Sequence, residues 1–302
     1  MTYLVTGNRG FIGGHLMDAL KNRSDTAIGF DKLTEYPTEE VLADFIRKNR
    51  VDGIYHLGAR PFIPDCYGNS INAVVESNIS FTARLLTAAK EANVKKFLYL
   101  STSEVYGNSE RIPINEYTPT NPLSTYAVSK YAAEALCRSF GTETGLDVRA
   151  MRQFNVYGPG DTHPRIIPIL MMAAKHNKHI TIGPIDVTRD FSYVKDVILA
   201  LTKMMGIKKS ELPEDKILVH GSGVETRLSD LITIIECTYG RNIKYDKSSS
   251  KNRPAEVYRL CADRTEFDIL FGSYPHVSIE EGILRTKEWY DKNDWKWEVK
   301  NE

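Results

Sequence analysis

No charge of one sign dominates this sequence. Lysine and arginine together number 39, and so do aspartate and glutamate, among 302 residues. A chain balanced in this way carries no overall basic field for nucleic acid and no acidic tail, so no nucleic-acid partner is expected. Cysteine is scarce as well. Cys66, Cys137, Cys237 and Cys261 stand far apart and form no C-x-x-C pair. That spacing fits reduced thiols and argues against both a disulfide framework and a metal site. Long apolar runs are also missing: none approaches the roughly 20 residues that a membrane helix needs. The chain enters the apolar strand "TYLVTG" at once, with no basic stretch leading into a long apolar one. These absences lead to the expectation of a cytoplasmic protein with no membrane partner and no bound metal.

What is present is an alternation of two periodicities. "TYLVTG", "TAIGFD", "GIYHLGA", "KKFLYLS" and "DVRAMRQF" read as strands. Between them "GFIGGHLMDALKNR", "PTEEVLADFIRKN", "NAVVESNISFTARLLTAAKEANV" and "TYAVSKYAAEALCRSFGTETG" read as helices, with Thr38 as an N-cap of the second. Strands alternating with helices call for right-handed crossovers, hence an α/β fold with a Rossmann-like, doubly wound parallel sheet. After Phe154 the texture changes: "NVYGPGDTHPRIIP" is dense in glycine and proline, and shorter elements follow. The expected division is a dinucleotide-binding domain over 1–154 and a smaller C-terminal α/β lobe for substrate over 155–302. "KILVHGS" is read as a strand returning to the main sheet.

The first strand–helix junction, "YLVTGNRGFIGGHL", places Gly7, Gly10 and Gly13 where a dinucleotide would need them. The first glycine permits the sharp turn, the second lets backbone approach a pyrophosphate, and the third allows close helix–strand packing. The helix N-terminus then supplies amide dipoles for the phosphates. Asp31 ends the second strand. A carboxylate there accepts hydrogen bonds from ribose hydroxyls and repels the extra phosphate of NADP, so the expected cofactor is NAD, with Lys32 beside it weakening the discrimination slightly.

"TYAVSKYAAE" holds Tyr126 and Lys130 four residues apart, on one face of a helix. A phenol near pKa ~10 is a poor base at neutral pH, but a neighbouring ammonium stabilises its phenolate. Such a pair can take a proton from an alcohol while hydride leaves the adjacent carbon. The strand before it ends in Ser101, Thr102 and Ser103, followed by a carboxylate, Glu104.

With these residues in view, the chain resembles the extended short-chain dehydrogenases/reductases of the NAD-dependent nucleotide-sugar epimerase/dehydratase family. The likeness runs over nearly the whole length, through "TGNRGFIGGHL", "YHLGA", "SNISFTARLL", "LSTSEVYG", "YAVSKYAAE", "RQFNVYGPG", "TRDFSYVKDV" and "NRPAEV". The resemblance implies that Gly7, Gly10, Phe11, Ile12 and Gly13 cradle the pyrophosphate, with Asp31 on the adenosine ribose. It implies that Leu57, Gly58, Ala59, Asn78 and Ser101 line the cofactor cleft, and that Tyr126 and Lys130 also touch the nicotinamide ribose. Thr102 or Ser103 would bond the sugar hydroxyl being oxidised. Asn155, Arg165, Arg189 and Arg253 would meet the diphosphate of a nucleotide-diphosphate sugar, a task that suits the bidentate guanidinium. The family often dimerises through two helices, here the one beginning at Asn72 and the one carrying Tyr126, so a homodimer is expected.

Two departures from the family pattern stand out, of which the milder is that the usual His-Leu-Ala-Ala is here His56-Leu57-Gly58-Ala59. Many members carry a third strand after the ribose-binding acid, ending in an aspartate that holds adenine. Here "GFDKLTEYPTEEVLADF" moves into a helix with Asp44 in its middle. Simple 4-epimerases usually have a small residue where Glu104 stands, whereas dehydratases need a base for the C5 proton once C4 is a ketone. The dTDP-glucose dehydratases carry an aspartate at the position of Ser103. The expectation is therefore an NAD-dependent dehydratase, with a 4-epimerase, a UDP-glucuronate decarboxylase and, more remotely, a non-catalytic nucleotide-sugar sensor as alternatives.

Overall fold

The computed structural model describes residues 1–31, 36–61, 71–248, 256–274 and 276–293. Its centre is a six-stranded, all-parallel sheet. Along the chain come β1 (Thr2–Thr6), α1 (Phe11–Asn22), β2 (Thr26–Phe30), α2 (Glu39–Lys48), β3 (Gly53–His56), α3 (Ile71–Val75), α4 (Phe81–Glu91), β4 (Lys96–Thr102), α5 (Thr125–Thr144) and β5 (Asp147–Gln153). The sheet order is β2-β1-β3-β4-β5, closed on the far side by β9 (Ile217–His220), which returns late in the chain to pair with β5. The chain leaves β1 in one direction to make β2 and crosses back to make β3. The crevice at the carboxyl ends of β1 and β3 is therefore the topological switch point, where ligands of open α/β sheets bind.

Both faces of the sheet are covered, and the strands show it by alternation. Leu4, Ile54, Phe97 and Tyr99 pack with Leu42, Ile46, Leu85 and Ala133 on the side of α2, α4 and α5. Tyr3, Val5, Leu98 and Leu100 pack on the opposite side with Leu16 and Leu20 of α1 and with Val197 and Leu201. Each such aliphatic side chain withdrawn from water contributes ~1.5–3 kcal/mol, so two covered faces anchor the sheet firmly.

The later elements are β6 (Asn155–Tyr157), α6 (Ile166–His176), β7 (Ile180–Ile182), β8 (Thr188–Tyr193), α7 (Val194–Gly206), β10 (Glu225–Arg227), α8 (Leu228–Tyr239), β11 (Tyr245–Lys247), α9 (Thr265–Phe271) and α10 (Ile279–Lys292). Here β10-β8-β6 form a three-stranded sheet and β11-β7 a two-stranded one. A separate apolar core, including Leu170, Met171, Leu231, Ile235 and Ile283, joins α6, α8 and α10.

Local expectations meet mixed outcomes. Thr38 caps α2, its hydroxyl accepting from the Val41 amide. The long helix expected from Asn72 is interrupted: α3 passes into a π-helical turn over Glu76–Ser80 before α4 begins. The periodicity hides this turn, because one widened turn barely shifts the apolar face. Asp44 lies on the outside of α2, 78% exposed and 2.5 Å from Arg47, so it is a surface ion pair and no substitute for an adenine-binding acid. Among the described residues β2 is one edge of the sheet, with β9 the other.

Candidate active site

A cavity of about 720 Å3 opens at the switch point and runs from the glycine turn into the C-terminal lobe. At its sheet end the turn after β1 is built from glycine for stereochemical reasons. Gly7 has φ +70, in the left-handed region, and a β-carbon there would stand 2.9 Å from the Gly58 amide nitrogen. At Gly13 a β-carbon would lie 2.0 Å from the Gly7 carbonyl oxygen, so only glycine lets α1 approach β1 this closely. Gly10 is the N-cap of α1 and offers no side-chain cap, which leaves the first amides of the helix to a ligand. Phe11, Ile12 and Asp31 share this wall, the Asp31 carboxylate accepting from the Arg9 amide at 3.3 Å.

The next wall is Leu57, Gly58 and Ala59, fixed from behind by a buried polar chain. His56 is fully buried, with Nδ1 2.7 Å from Thr6 Oγ1 and Nε2 2.8 Å from Thr82 Oγ1. Thr82 donates to the Asn78 carbonyl at 2.7 Å, so it accepts from Nε2–H, and Thr6 donates to Nδ1. Thr6 Oγ1 in turn accepts from the Gly58 amide at 3.1 Å. Burial pushes the His56 pKa down to about 3, keeping the ring neutral. Asn78 continues the chain behind the wall and does not face the cavity. Its Oδ1 accepts from the Arg60 amide at 2.8 Å and its Nδ2 donates to Ser129 Oγ at 2.9 Å. Ser129 donates to the Tyr126 carbonyl at 2.7 Å, so the chain ends on the backbone of the tyrosine.

Ser101, Thr102, Ser103 and Glu104 line the cavity at the end of β4. Residues Ser103–Tyr106 form a single 3-10 turn, capped by Thr102, whose Oγ1 accepts from the Glu104 amide at 3.3 Å. Facing them on α5 are Tyr126 and Lys130. Lys130 is buried to 3% exposure, and burial pushes its pKa down to about 7. Desolvation disfavours the ammonium there, and the nearby Glu134 carboxylate offsets only part of it.

In the lobe, Asn155, Arg165 and Arg189 line the same cavity. Arg189 is held by Glu256, Nη2 to Oε1 2.9 Å, and Glu256, which lies within "NRPAEV" but has no expected role there, also lines the cavity. Asp161 and His163 also line it, the imidazole Nδ1 3.3 Å from Asp161 Oδ1. Their only sequence signal is their place just after the Gly-Pro-Gly turn. Lys32, Arg253 and Cys66 lie outside the described residues. Cys137 and Cys261 are buried free thiols and Cys237 is an exposed one. Among the described residues no group of three or more potential metal ligands occurs, and no helix is long and apolar enough to cross a membrane.

The cavity suits a dinucleotide beside a second ligand. Three polar atoms on its walls, Ser101 Oγ, Asn155 Oδ1 and Asp161 Oδ2, are buried and have no hydrogen-bond partner within the protein. A buried group of that kind costs stability unless a bound molecule or water completes it.

Comparison with known proteins points the same way. The family model described as the NAD dependent epimerase/dehydratase family matches residues 3–219. A Bacillus subtilis protein named as an uncharacterized UDP-glucose epimerase is 30% identical, over 94% of this chain and 96% of its own. A UDP-glucuronic acid 4-epimerase from Bacillus cereus, crystallised with UDP-glucuronic acid and NAD, superposes with TM-score 0.86 at 26% identity, covering 97% of this chain and 99% of its own. An NAD-dependent NDP-hexosamine 5,6-dehydratase of tunicamycin biosynthesis superposes with TM-score 0.84 at 27% identity, covering 97% and 98%.

Proposed function

The chain belongs to the NAD-dependent epimerase/dehydratase family and is an enzyme of that family, and from that premise we propose that it dehydrates a nucleotide-diphosphate sugar through a transient 4-keto sugar. The observation that carries this reading is the shared cavity wall: Glu104 lines the same space as Tyr126 and Lys130. An epimerase needs only the tyrosine pair and room for the keto sugar to turn over. A carboxylate beside that pair supplies the further base that an elimination requires.

The residues divide the work as follows. Gly7, Gly10, Phe11, Ile12 and Gly13 hold the pyrophosphate of NAD against the start of α1, and Asp31 holds the adenosine ribose. NAD supplies an acceptor for the hydrogen removed from C4. Tyr126 takes the proton of the C4 hydroxyl, with the Lys130 ammonium favouring the phenolate and Thr102 or Ser103 orienting the hydroxyl. Glu104 removes the C5 proton, made acidic by the neighbouring ketone, and the C6 hydroxyl departs with a proton as water. The hydrogen taken from C4 is then given back to the sugar, so that the net change is the loss of one water and the cofactor ends oxidised. Asn155, Arg165 and Arg189 bind the sugar nucleotide's diphosphate, Glu256 keeping the Arg189 guanidinium in its plane. In this division residues 1–154 carry the cofactor, with β9 returning to them, and residues 155–302 mostly carry the substrate.

Two further assignments belong to the same reading. The molecule works as a homodimer, a second copy covering the apolar outer faces of α3 and α5, where Ile71, Val75, Val128 and Leu136 are 41–51% exposed. It resides in the cytoplasm, where the Cys137 and Cys261 thiols stay reduced.

The test is Glu104→Gln. With UDP- or dTDP-hexoses this variant is expected to form a 4-keto sugar that hydroxylamine traps, and to release no water. Full dehydration by the variant removes Glu104 from the mechanism. A wild-type product of unchanged mass but altered ring stereochemistry assigns the protein to the epimerases.

A further inference from the structure

Lys130 sits in an unusual place for a cation. Its side chain is buried between α5 and the sheet, and its Nζ stands 4.1 Å from the centroid of the Tyr99 ring. Tyr99 is itself 1% exposed and belongs to β4, three residues before Thr102. Alternation along β4 fixes its direction: Phe97 and Tyr99 point to the α5 side, Leu98 and Leu100 to the other. An aromatic at position 99 therefore presents its face to the helix that carries Tyr126 and Lys130.

The groups around Lys130 show why that face matters. On α5 its neighbours are Tyr126, Glu134 and Cys137; on β4, Tyr99; on β3, His56. Burial keeps the Cys137 thiol protonated and the His56 ring uncharged, so neither offers a countercharge. The Glu134 carboxylate is committed to Arg152 of β5 through contacts of 2.6 and 3.1 Å. The Lys130 cation thus has one carboxylate nearby, already engaged, and one aromatic face in direct contact. A ring quadrupole attracts a cation most strongly where water is excluded.

We propose that Tyr99 is a positioning residue for the Tyr126–Lys130 pair, its ring face seating the Lys130 nitrogen and holding it as ammonium. The weak 3.4 Å bond from the Tyr99 hydroxyl to the Lys130 carbonyl adds to the seat without being its basis. An aliphatic residue would keep the core apolar, at a smaller volume, and leave the cation unsupported. Lys130 would then lose its proton at lower pH, and Tyr126 would lose the charge that favours its phenolate. The inference rests on the proposed role of the pair, though not on whether the reaction ends in dehydration or epimerisation.

The experiment reads the lysine directly. Isotope-labelled lysine NMR on the NAD-bound enzyme follows the titration of Lys130, with the signal identified by its loss in Lys130→Met. Tyr99→Phe keeps the ring face and is expected to titrate like wild type. Phenylalanine at 99 with a fluorinated ring has nearly the same shape but a weakened quadrupole, and is expected to titrate about one pH unit lower. Tyr99→Leu is expected to fall at least as far, and the alkaline limb of kcat/KM to move down with it. The fluorinated variant keeps the test open if Tyr99→Leu does not fold. Equal titration of the fluorinated and unfluorinated rings overturns the proposal. A shifted lysine in an enzyme that turns over no sugar nucleotide upholds the seat and overturns instead the proposed function.

Discussion

Arg152 grips Glu134 with Nη2 2.6 Å from Oε1 and Nε 3.1 Å from both carboxylate oxygens, while its Nη1 lies 2.9 Å from the Tyr106 hydroxyl. This one guanidinium joins three elements of the site. Arg152 is on β5, Glu134 lies one turn beyond Lys130 on α5, and Tyr106 closes the 3-10 turn that carries Glu104. Both partners of the ion pair are nearly buried, at 6% and 3% side-chain exposure.

Removing one partner of such a pair strands the other charge in the core. Arg152→Met is therefore expected to lower stability by about 3–5 kcal/mol, because Glu134 loses its counterion. The double variant Arg152→Met with Glu134→Leu is expected to recover most of that loss, since neither charge remains to be desolvated. Urea unfolding of the two singles and the double closes the cycle. A double variant as unstable as the sum of the singles would show that packing, and not charge, holds the three elements.

The glycine turn makes a sharper structural prediction. A methyl group at position 13 collides with the backbone of Gly7 and Asn8, at 2.0 to 2.9 Å, and none of those atoms can swing aside. Gly13→Ala is expected to cost about 1–3 kcal/mol and to weaken NAD binding at least tenfold. Position 14 is the control. There a β-carbon meets nothing closer than 4.0 Å, and alanine suits a helix better than glycine, so Gly14→Ala is expected to be neutral or mildly stabilising. Calorimetry with NAD and thermal melts check both.

Acid acts through buried histidine. The His56 pKa falls from 6.5 to about 3 on burial, and that of His276 to about 4. Below the ordinary value the unfolded chain takes up protons that the folded rings refuse. Stability therefore falls as pH drops from 6.5, towards about 3 for His56 and about 4 for His276, each ring contributing a slope of about 1.4 kcal/mol per pH unit within its window. His56→Asn, whatever its cost near neutrality, is expected to flatten that slope by one ring's share. An unchanged slope in urea unfolding between about pH 6.5 and about pH 5 would mean that His56 is already charged in the folded protein.

Much of this was legible in the sequence, for reasons that differ between residues. The sheet showed itself because both faces are covered, so most of its strands read as apolar runs, β5 with Arg149 and Arg152 being the exception, and the helices between showed the 3.6 period. Gly7, Gly13, Tyr126 and Lys130 stood out because their chemistry depends on local spacing along one turn or one helix face. Glu256 did not, because its meaning comes from Arg189, 67 positions away in sequence and 2.9 Å away in space. Tyr99 looked like an ordinary core aromatic of β4, since nothing in the strand tells which cation lies across from it. Asn78 was expected to line the cofactor cleft, and its bonds to the Arg60 amide and Ser129 Oγ, 18 and 51 positions away, are partnerships that no local spacing announces. Within the π-helical turn at Glu76–Ser80, Ser77 and Asn78 are buried.

The central claim is that this site eliminates water from a sugar nucleotide after oxidising C4. The measurement that tests it most directly is mass analysis of products after incubation of the NAD-loaded enzyme with UDP-glucose, UDP-N-acetylglucosamine, GDP-mannose and UDP-glucuronate, alongside Tyr126→Phe. The account predicts one substrate losing the mass of a single water, and no product from Tyr126→Phe, whose NAD stays bound. A product of unchanged mass, or one lighter by carbon dioxide, would contradict it.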